Sequence, residues 1–277
     1  SGVIGDFGRG QAARHHALIV EGGTGVGKSR LLSELRTLAL TTGTHVLQGV
    51  ATQESGLPYQ LWHAPLAYLA VSNTLTTVEA GIVKALLPEQ DWLTDQDVQP
   101  APPLQGEAEQ QRLAYTLISL IRRLDRPVVL LVEDLQWAQE SLGVLQQMIS
   151  TVQSLPLMIV GTFRSDTAVS VAEQLPNAPT IMLQRFSWGA VEALCAKILG
   201  HQALDPQLVS RLYQESEGNA FFLVEILHMM AEQTDFGAHL SSHDLPATML
   251  SEGMAKAVQR RLAFAPDWAQ PLLKLAA

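Results

Sequence analysis

The apolar positions alternate between two patterns over the first two thirds of the chain. Runs typical of strands buried on both faces lie at residues 17–20, 128–132 and 157–163, and further strands are predicted at 45–50 and 180–183. Apolar residues at helical spacing predict helices over 31–39, 113–124 and 142–152, and Gly43 should end the first helix. Prolines recur between residues 53 and 106, where we expect irregular chain with some helix. The alternation predicts a parallel sheet with helices on both faces.

The pattern changes after Arg185, because no strand-like run recurs. Helices are predicted at residues 187–199, 206–213, 221–231 and 248–262. Asp205-Pro206 has the cap and first-turn pattern of a helix start, and Gly218 is placed to end that helix. We therefore predict two domains, an α/β core over residues 1–185 and an all-helical domain over residues 186–277.

A glycine-rich turn follows the first predicted strand. It reads Gly22-Gly23-Thr24-Gly25-Val26-Gly27-Lys28-Ser29 and matches the phosphate-loop pattern G-x-x-x-x-G-K-[ST] in full. Glycines let backbone N–H groups surround an anion, and the helix that follows directs its positive end at the phosphates. In such a loop the lysine contacts the β- and γ-phosphates and the serine ligates Mg²⁺. The alternative, a glycine-rich connection without a ligand, is far less common in this strand and helix context.

Two further sites follow apolar strands. Glu133 and Asp134 end the run at 128–132, where one carboxylate can hold Mg²⁺ and the other can orient or deprotonate an attacking water. Arg164 follows the run at 157–163, from which its guanidinium can reach a γ-phosphate. Taken alone, an acidic pair is more often a solvated turn and such an arginine can be a plain surface residue. The phosphate loop favours the catalytic interpretation of both.

The sequence also indicates which nucleotide is bound. The guanine-reading pattern Asn-Lys-x-Asp is absent from the sequence, which favours ATP over GTP. His63, the His15-His16 pair and Cys195 lack partners at ligand spacing, so we interpret them as structural or solvated residues.

Composition narrows the possible partners and location. The net charge of −9, from 18 basic and 27 acidic residues, disfavours direct nucleic-acid contact. Two windows without formal charge, 55–78 and 141–163, contain prolines and glutamines that argue against membrane spans. One cysteine cannot form an intrachain disulfide, and no signal peptide precedes the first strand, so we expect a cytoplasmic protein.

Four stretches in this order carry a resemblance to a known family: residues 22–32, 131–138, 161–164 and 217–227. Together they resemble the origin-recognition-like AAA ATPase domain of the STAND branch of P-loop ATPases. That domain occurs in large LuxR-type transcription activators, nucleotide cyclases and some bacterial Ser/Thr kinases. The resemblance implies the three-layer α/β sandwich of a P-loop NTPase with a parallel five-stranded sheet. An all-helical lid domain would follow it, and the chain would end before a winged-helix region.

The resemblance also implies roles for individual residues. Lys28 would bind phosphate, Ser29 and Glu133 would serve Mg²⁺, Asp134 would take the base position, and Arg164 would be the sensor arginine. The implied nucleotide contacts are Gly22, Gly23, Thr24, Gly25, Val26, Gly27, Lys28, Ser29, Arg30, Asn219 and Ala220. The chain departs from the family at Glu133, where aspartate is usual, and at Ala220, where proline is usual. The family's adenine-contacting Gly-Arg-Glu box is not found in residues 1–21, which precede the loop.

The implied function is a module that binds ATP, hydrolyses it slowly and switches an effector domain in the same or a partner chain. ATP-dependent self-association would be possible. Two alternatives stay open: a DNA-associated AAA ATPase similar to replication initiators, and a nucleotide-binding scaffold that does not hydrolyse ATP. The sequence does not distinguish the candidates for an arginine finger, which are Arg122, Arg123, Arg185 and Arg260.

Overall fold

The computed structural model describes residues 16–53, 57–90, 97–166, 171–199 and 205–233. Its contacts divide the chain into two compact units. The first comprises Ser1–Thr24 and Lys28–Leu183, and the second comprises Gly25–Gly27 and Gln184–Ala277. Each unit is described in turn.

A five-stranded parallel sheet organises the first unit. Its strands are β1 (Ala17–Gly22), β2 (His45–Val50), β3 (Val128–Glu133), β4 (Leu157–Arg164) and β5 (Thr180–Leu183). They lie in the order β2-β3-β4-β1-β5, and all neighbours are parallel. Because parallel strands end at the same edge, the residues that follow β1, β3 and β4 share one edge of the sheet.

The helices of the first unit follow the strands. They are α1 (Lys28–Thr41), α2 (His63–Val71), α3 (Thr77–Leu86), α4 (Glu107–Arg122), α5 (Ser141–Thr151) and α6 (Val171–Gln174). Three short 3₁₀ segments lie at Gln60–Trp62, Leu135–Trp137 and Val152–Ser154. The irregular stretch predicted between residues 53 and 106 therefore contains two helices, α2 and α3, among its described residues.

Both faces of the sheet are covered, because adjacent strand residues belong to different apolar clusters. Ile19 packs in the larger cluster, which includes residues of α2, α4 and α5. Its neighbours Leu18 and Val20 pack in the smaller cluster, with Leu32 of α1. This alternation is the period-2 pattern of a strand buried on both faces.

Two strand glycines permit close packing. At Gly49 of β2, a Cβ atom would overlap the carbonyl oxygen of Leu61. At Gly161 of β4, it would lie 2.7 Å from Cδ1 of Leu135 and 2.9 Å from Cδ1 of Ile19. Because neither glycine has a Cβ atom, two short 3₁₀ segments, Gln60–Trp62 and Leu135–Trp137, pack directly against the sheet near its carboxyl edge.

The second unit is helical where it is described. It contains α7 (Trp188–Leu199), α8 (Pro206–Ser216) and α9 (Ala220–Gln233). Asp205 caps α8 by accepting a 2.9 Å hydrogen bond from the Gln207 amide, and Pro206 occupies the first turn. The apolar faces of the three helices share one core, which includes Val191, Cys195, Leu212 and Leu223.

The predicted fold class is confirmed: the five strands lie where the sequence patterns placed them, and the sheet with its helices is the α/β fold of a P-loop NTPase. The predicted helix at 248–262 lies outside the described residues. Within the described part of the chain, no helix is long and apolar enough to cross a membrane.

Candidate nucleotide site

The loop between β1 and α1 has a backbone that depends on glycine. Gly25 has φ +78° and Gly27 has φ +105°, values that glycine adopts without steric cost. Between them, Val26 is buried at 6% exposure and anchors the loop. Helix α1 begins at Lys28, so the N–H groups of its first turn, which have no partner within the helix, follow the loop directly. The local geometry therefore suits an anion.

Lys28 is folded back over the start of its own loop. Its Nζ donates 2.8 Å hydrogen bonds to the carbonyl oxygens of Gly22 and Gly23. Burial lowers the pKa of Lys28 below its ordinary value, Arg164 adds to the lowering, and Asp134 and Asp166 act in the opposite direction. Lys28 thus lies within electrostatic range of Asp134 and Arg164, the other two residues predicted to be catalytic.

The acidic pair lies at the carboxyl end of β3. Oε1 of Glu133 accepts a 2.9 Å hydrogen bond from Nε2 of Gln48 on β2. Asp134 has φ 56° and ψ 44°, and this left-handed conformation turns the chain into the 3₁₀ segment Leu135–Trp137. Oδ1 of Asp134 accepts a 3.1 Å hydrogen bond from Nε2 of Gln136. Each carboxylate is therefore oriented by a different glutamine.

Arg164, at the end of β4, contacts the phosphate loop directly. Its Nη2 donates a 2.6 Å hydrogen bond to Oγ1 of Thr24 in the loop. The same guanidinium pairs with Asp166, through Nε at 3.1 Å and Nη2 at 2.9 Å. Hydrogen bonding to Asp166 raises the pKa of Arg164, and the guanidinium in turn lowers the pKa of Asp166. Strand β4 lies between β1 and β3, which explains how Arg164 comes between the loop and the acidic pair.

Asn219 caps the last described helix of the second unit. Its Oδ1 accepts from the amides of Phe221, at 3.1 Å, and Phe222, at 3.3 Å. The loop residues Gly25–Gly27 belong to this unit by their contacts, and the Phe221 amide lies 3.0 Å from the carbonyl oxygen of Gly25. A Cβ atom at Gly25 would approach Oδ1 of Asn219 to 2.5 Å. Asn219 and Ala220 therefore adjoin the tip of the loop within the second unit.

The other predicted residues lie on more exposed positions. Ser29 is exposed in the first turn of α1, and Arg30 next to it forms an ion pair with Glu34 one turn further on. Among the arginine-finger candidates, Arg123 pairs with Glu79 and Arg185 with Glu217, while Arg122 contacts Ser154. Arg260 lies outside the described residues.

His63 and Cys195, which we interpreted as structural or solvated residues, have a backbone partner and an apolar environment respectively. Nε2 of His63 lies 3.0 Å from the carbonyl oxygen of Pro58. Cys195 is fully buried in the core of the second unit, and burial raises its pKa to about 11. A thiol of this kind is not ionised near neutral pH and is a poor nucleophile. His15 lies outside the described residues.

Sequence reasoning missed three residues that contact the predicted site: Gln48, Gln136 and Asp166. Gln48 and Asp166 lie outside the stretches that identify their neighbours. Gln136 lies within residues 131–138, and only its bond to the Arg164 amide depends on the order of the strands. The available signals were the positions of Gln136 and Asp166, each of which lies two residues after its partner in the sequence.

A separate cavity of about 340 Å³ lies in the first unit, between the segments that follow β2 and β3. Tyr59, Gln60, Trp137 and Glu140 are among its lining residues, and no residue predicted for the nucleotide site lines it. Burial raises the pKa of Tyr59, and the charges of Glu109 and Glu140 contribute. The sequence patterns did not predict this cavity.

The strand, glycine loop and helix, with an acidic pair and an arginine at the same sheet edge, define a P-loop NTPase domain. Residues 6–160, more than half of the chain, match the family described as AAA ATPase domain. The chain belongs to this family. No curated protein matches it.

Several solved structures have a similar fold. The ORC1 protein of Aeropyrum pernix, solved in complex with DNA, is 15% identical with a TM-score of 0.50, over 93% of this chain and 64% of that one. AMPPCP-bound DnaA from Aquifex aeolicus is 11% identical with a TM-score of 0.49, over 95% of this chain and 66% of that one. The chain thus spans less than two thirds of either protein. At 15% identity, the likeness to ORC1 concerns the fold alone.

Proposed function

We propose that this chain is an ATP-binding and slowly hydrolysing regulatory module of the STAND type. Residues 1–185 are the ATPase core, and residues 186–277 are a helical domain with the role of the family's lid. ATP binding and hydrolysis switch an effector domain in the same or a partner chain. The motif resemblance over residues 131–138, 161–164 and 217–227 supports the assignment to this branch.

One observation carries the nucleotide-binding part of the proposal. The Arg164 guanidinium donates to Thr24 of the phosphate loop, and Asp134 acts electrostatically on both Arg164 and Lys28. Lys28, Arg164 and Asp134, from three separate elements, therefore lie within electrostatic range of one another beside a loop that suits an anion, with Asp166 as a second carboxylate. Such convergence is what phosphoryl transfer requires, because its catalysis is mostly positioning and charge stabilisation.

Each residue has a chemical role in this proposal. Lys28 exchanges its carbonyl partners for the β- and γ-phosphate oxygens, which are stronger acceptors. Arg164 binds the γ-phosphate and stabilises the negative charge that develops there. Asp134 accepts a hydrogen bond from the attacking water and takes its proton as the new P–O bond forms.

The donor chemistry fits Mg²⁺. Ser29 offers a hydroxyl and Glu133 a carboxylate, the oxygen ligands that this ion prefers. Within the described residues, no group of three or more His, Cys, Asp or Glu side chains could hold a metal alone. Nucleotide oxygens and water would therefore complete the shell. When bound, the ion would neutralise charge on the phosphate oxygens.

The test compares the purified chain with two lysine variants. Lys28→Ala should weaken binding of fluorescent Mg-ATP about ten- to a hundredfold, because a charge-assisted contact is worth about 1.5 to 3 kcal/mol. Lys197→Ala, at an exposed position of α7, is the matched control and should bind as the parent does. Equal binding by the Lys28 variant would contradict the phosphate-loop assignment.

Phosphate release measured with and without DNA distinguishes the regulatory ATPase from the DNA-associated ATPase and from the non-hydrolysing scaffold. Slow phosphate release that is unchanged by DNA supports the regulatory ATPase. Release that DNA accelerates several-fold would favour the DNA-associated alternative, which the net charge of −9 argues against. Tight ATP binding without phosphate release would indicate the non-hydrolysing scaffold.

A further inference from the structure

Gln136 is a buried polar residue with a partner at each end of its amide. It is only 6% exposed. Its Nε2 donates a 3.1 Å hydrogen bond to Oδ1 of Asp134, and its Oε1 accepts a 3.1 Å hydrogen bond from the backbone amide of Arg164. The chemistry of the partners sets this orientation, because an ionised carboxylate only accepts and a backbone N–H only donates.

These two hydrogen bonds connect the ends of β3 and β4 beyond the last residues at which the two strands pair. The last paired residues of β3 and β4 are Val132 and Gly161. Asp134 lies two residues beyond the first of these and Arg164 three residues beyond the second. The amide of Gln136 therefore continues the connection between the two strands past the end of their ladder, at the edge where the phosphate loop lies.

The turn that carries Gln136 has its own anchor. Leu135 is fully buried, and its Cδ1 lies where a Cβ atom of Gly161 would come within 2.7 Å. The Trp137 amide also donates a 2.9 Å hydrogen bond to the carbonyl oxygen of Asp134. Because apolar packing and this backbone bond hold the turn, losing the Gln136 amide should leave the turn in place and release the Asp134 carboxylate.

We propose that Gln136 is a positioning residue for hydrolysis: it holds the Asp134 carboxylate at a defined place relative to the strand end that carries Arg164. This rests on the proposed function, in which Asp134 takes a proton and Arg164 binds the γ-phosphate. Only a side chain with one donor and one acceptor at this reach serves both partners. An ionised glutamate cannot donate to Asp134, and methionine offers no donor to Asp134 and only a weak acceptor to the Arg164 amide.

The experiment uses Gln136→Met and Gln136→Glu, with Gln146→Met as the matched control on the exposed face of α5. Three quantities are measured for each: the Kd of fluorescent Mg-ATP, the single-turnover rate of hydrolysis, and hydrogen exchange at the Arg164 amide. Thermal melts establish that each variant is folded.

Gln136→Met should keep its Kd within about threefold of the parent while hydrolysis slows by about tenfold or more, since a misplaced general base loses a contribution of order 10²–10⁴. The Arg164 amide should exchange faster, because its acceptor is gone. Gln136→Glu should also slow hydrolysis, since an ionised carboxylate here cannot donate to Asp134 and repels it. The control should match the parent in all three measurements.

Two results would overturn the proposal without touching the proposed function. One is hydrolysis by both Gln136 variants within about twofold of the parent. The other is a Kd and a rate that worsen by the same factor, which would indicate a purely structural role. A parent chain that binds ATP and hydrolyses none would instead overturn the hydrolytic step of the proposed function, and the positioning role with it.

Discussion

The side-chain amide of Gln48 on β2 donates a 2.9 Å hydrogen bond to Glu133 at the end of β3. The second acid, Asp134, takes its hydrogen bond from Gln136 instead. The two adjacent carboxylates therefore have different surroundings: Asp134 acts on the charges of Lys28 and Arg164, whereas Glu133 faces a neutral partner from the neighbouring strand. This difference supports separate roles for the two acids.

Substitution of each acid tests that separation. Asp134→Asn should leave ATP affinity nearly unchanged and slow hydrolysis by about two orders of magnitude, because the amide keeps the shape but cannot take a proton. Glu133→Gln should instead raise the Mg²⁺ concentration needed for half-maximal activity, because it removes one anionic ligand. Phosphate release measured over a Mg²⁺ titration distinguishes the two. The opposite pattern would mean that the roles within the pair are exchanged.

In the proposed site, Asp166 would compete with nucleotide for Arg164. The guanidinium makes two hydrogen bonds to this carboxylate, whose negative charge would compete with that of a γ-phosphate. Asp166→Asn should therefore raise the affinity for ATP a few-fold and leave that for ADP almost unchanged. Parallel titrations with the two nucleotides measure this ratio, and Asp97→Asn, at an exposed position, is the control. Equal changes for ATP and ADP would show that Arg164 does not contact the γ-phosphate.

Ala220 is the first residue of α9, directly after the capping Asn219. Proline is favoured at this position, because its N–H is not needed for the helix and its φ is already suitable. Ala220→Pro should stabilise the folded chain by about 0.4 to 1 kcal/mol, mainly by restricting the unfolded chain. Thermal melting measures the shift.

Ala190→Pro in α7 provides the contrast for that substitution. The Ala190 amide donates a 3.0 Å hydrogen bond to the carbonyl oxygen of Ser187, which proline cannot replace. This variant should melt at a lower temperature than the parent. If Ala220→Pro also melts at a lower temperature than the parent, the backbone conformation of Asn219 is not compatible with a following proline.

Glu79 should make stability depend on acid pH. Burial on its own would raise its pKa, but hydrogen bonds from Thr76, Arg123 and Ser119 outweigh burial, and the net pKa is below the ordinary value of 4.5. The unfolded chain therefore binds this proton more readily than the folded one. The stabilisation by Glu79 is complete above the unfolded pKa and is lost as the pH falls through the folded pKa.

Glu79→Gln should accordingly lower the free energy of unfolding by about 1 to 3 kcal/mol at pH 7, where the buried carboxylate keeps its partners. The difference between variant and parent should shrink as the pH is lowered below about 4.5. Denaturant titrations across this range provide the measurement. Glu34→Gln, which removes an exposed partner of Arg30, should show little difference at any pH. A difference for Glu79→Gln that is constant with pH would contradict the assignment.

Much of the fold could be predicted because its signals are local. The apolar runs at 128–132 and 157–163 and the helical spacing of α1 and α7 are properties of consecutive residues. The phosphate loop is also local, since its glycines and Lys28 occupy one short segment. The helices α2 and α3 were not located individually, because Pro65 lies within α2 and Pro88 follows α3 closely. The packing of Leu61 and Leu66 in the main core stabilises that region.

The contacts around the proposed site depend on the order of the strands, which no local pattern encodes. Thr24 and Arg164 are 140 positions apart in the chain, and Gln48 and Glu133 are 85 apart. They meet because β4 lies beside β1 and β2 lies beside β3. The sequence by itself determined which residues can bind phosphate, ligate a cation or take a proton. Only the tertiary structure decided that Gln48 meets Glu133 and that Gln136 meets the Arg164 amide, because a hydrogen bond requires its two atoms to lie within about 3 Å of each other, whatever their distance along the chain.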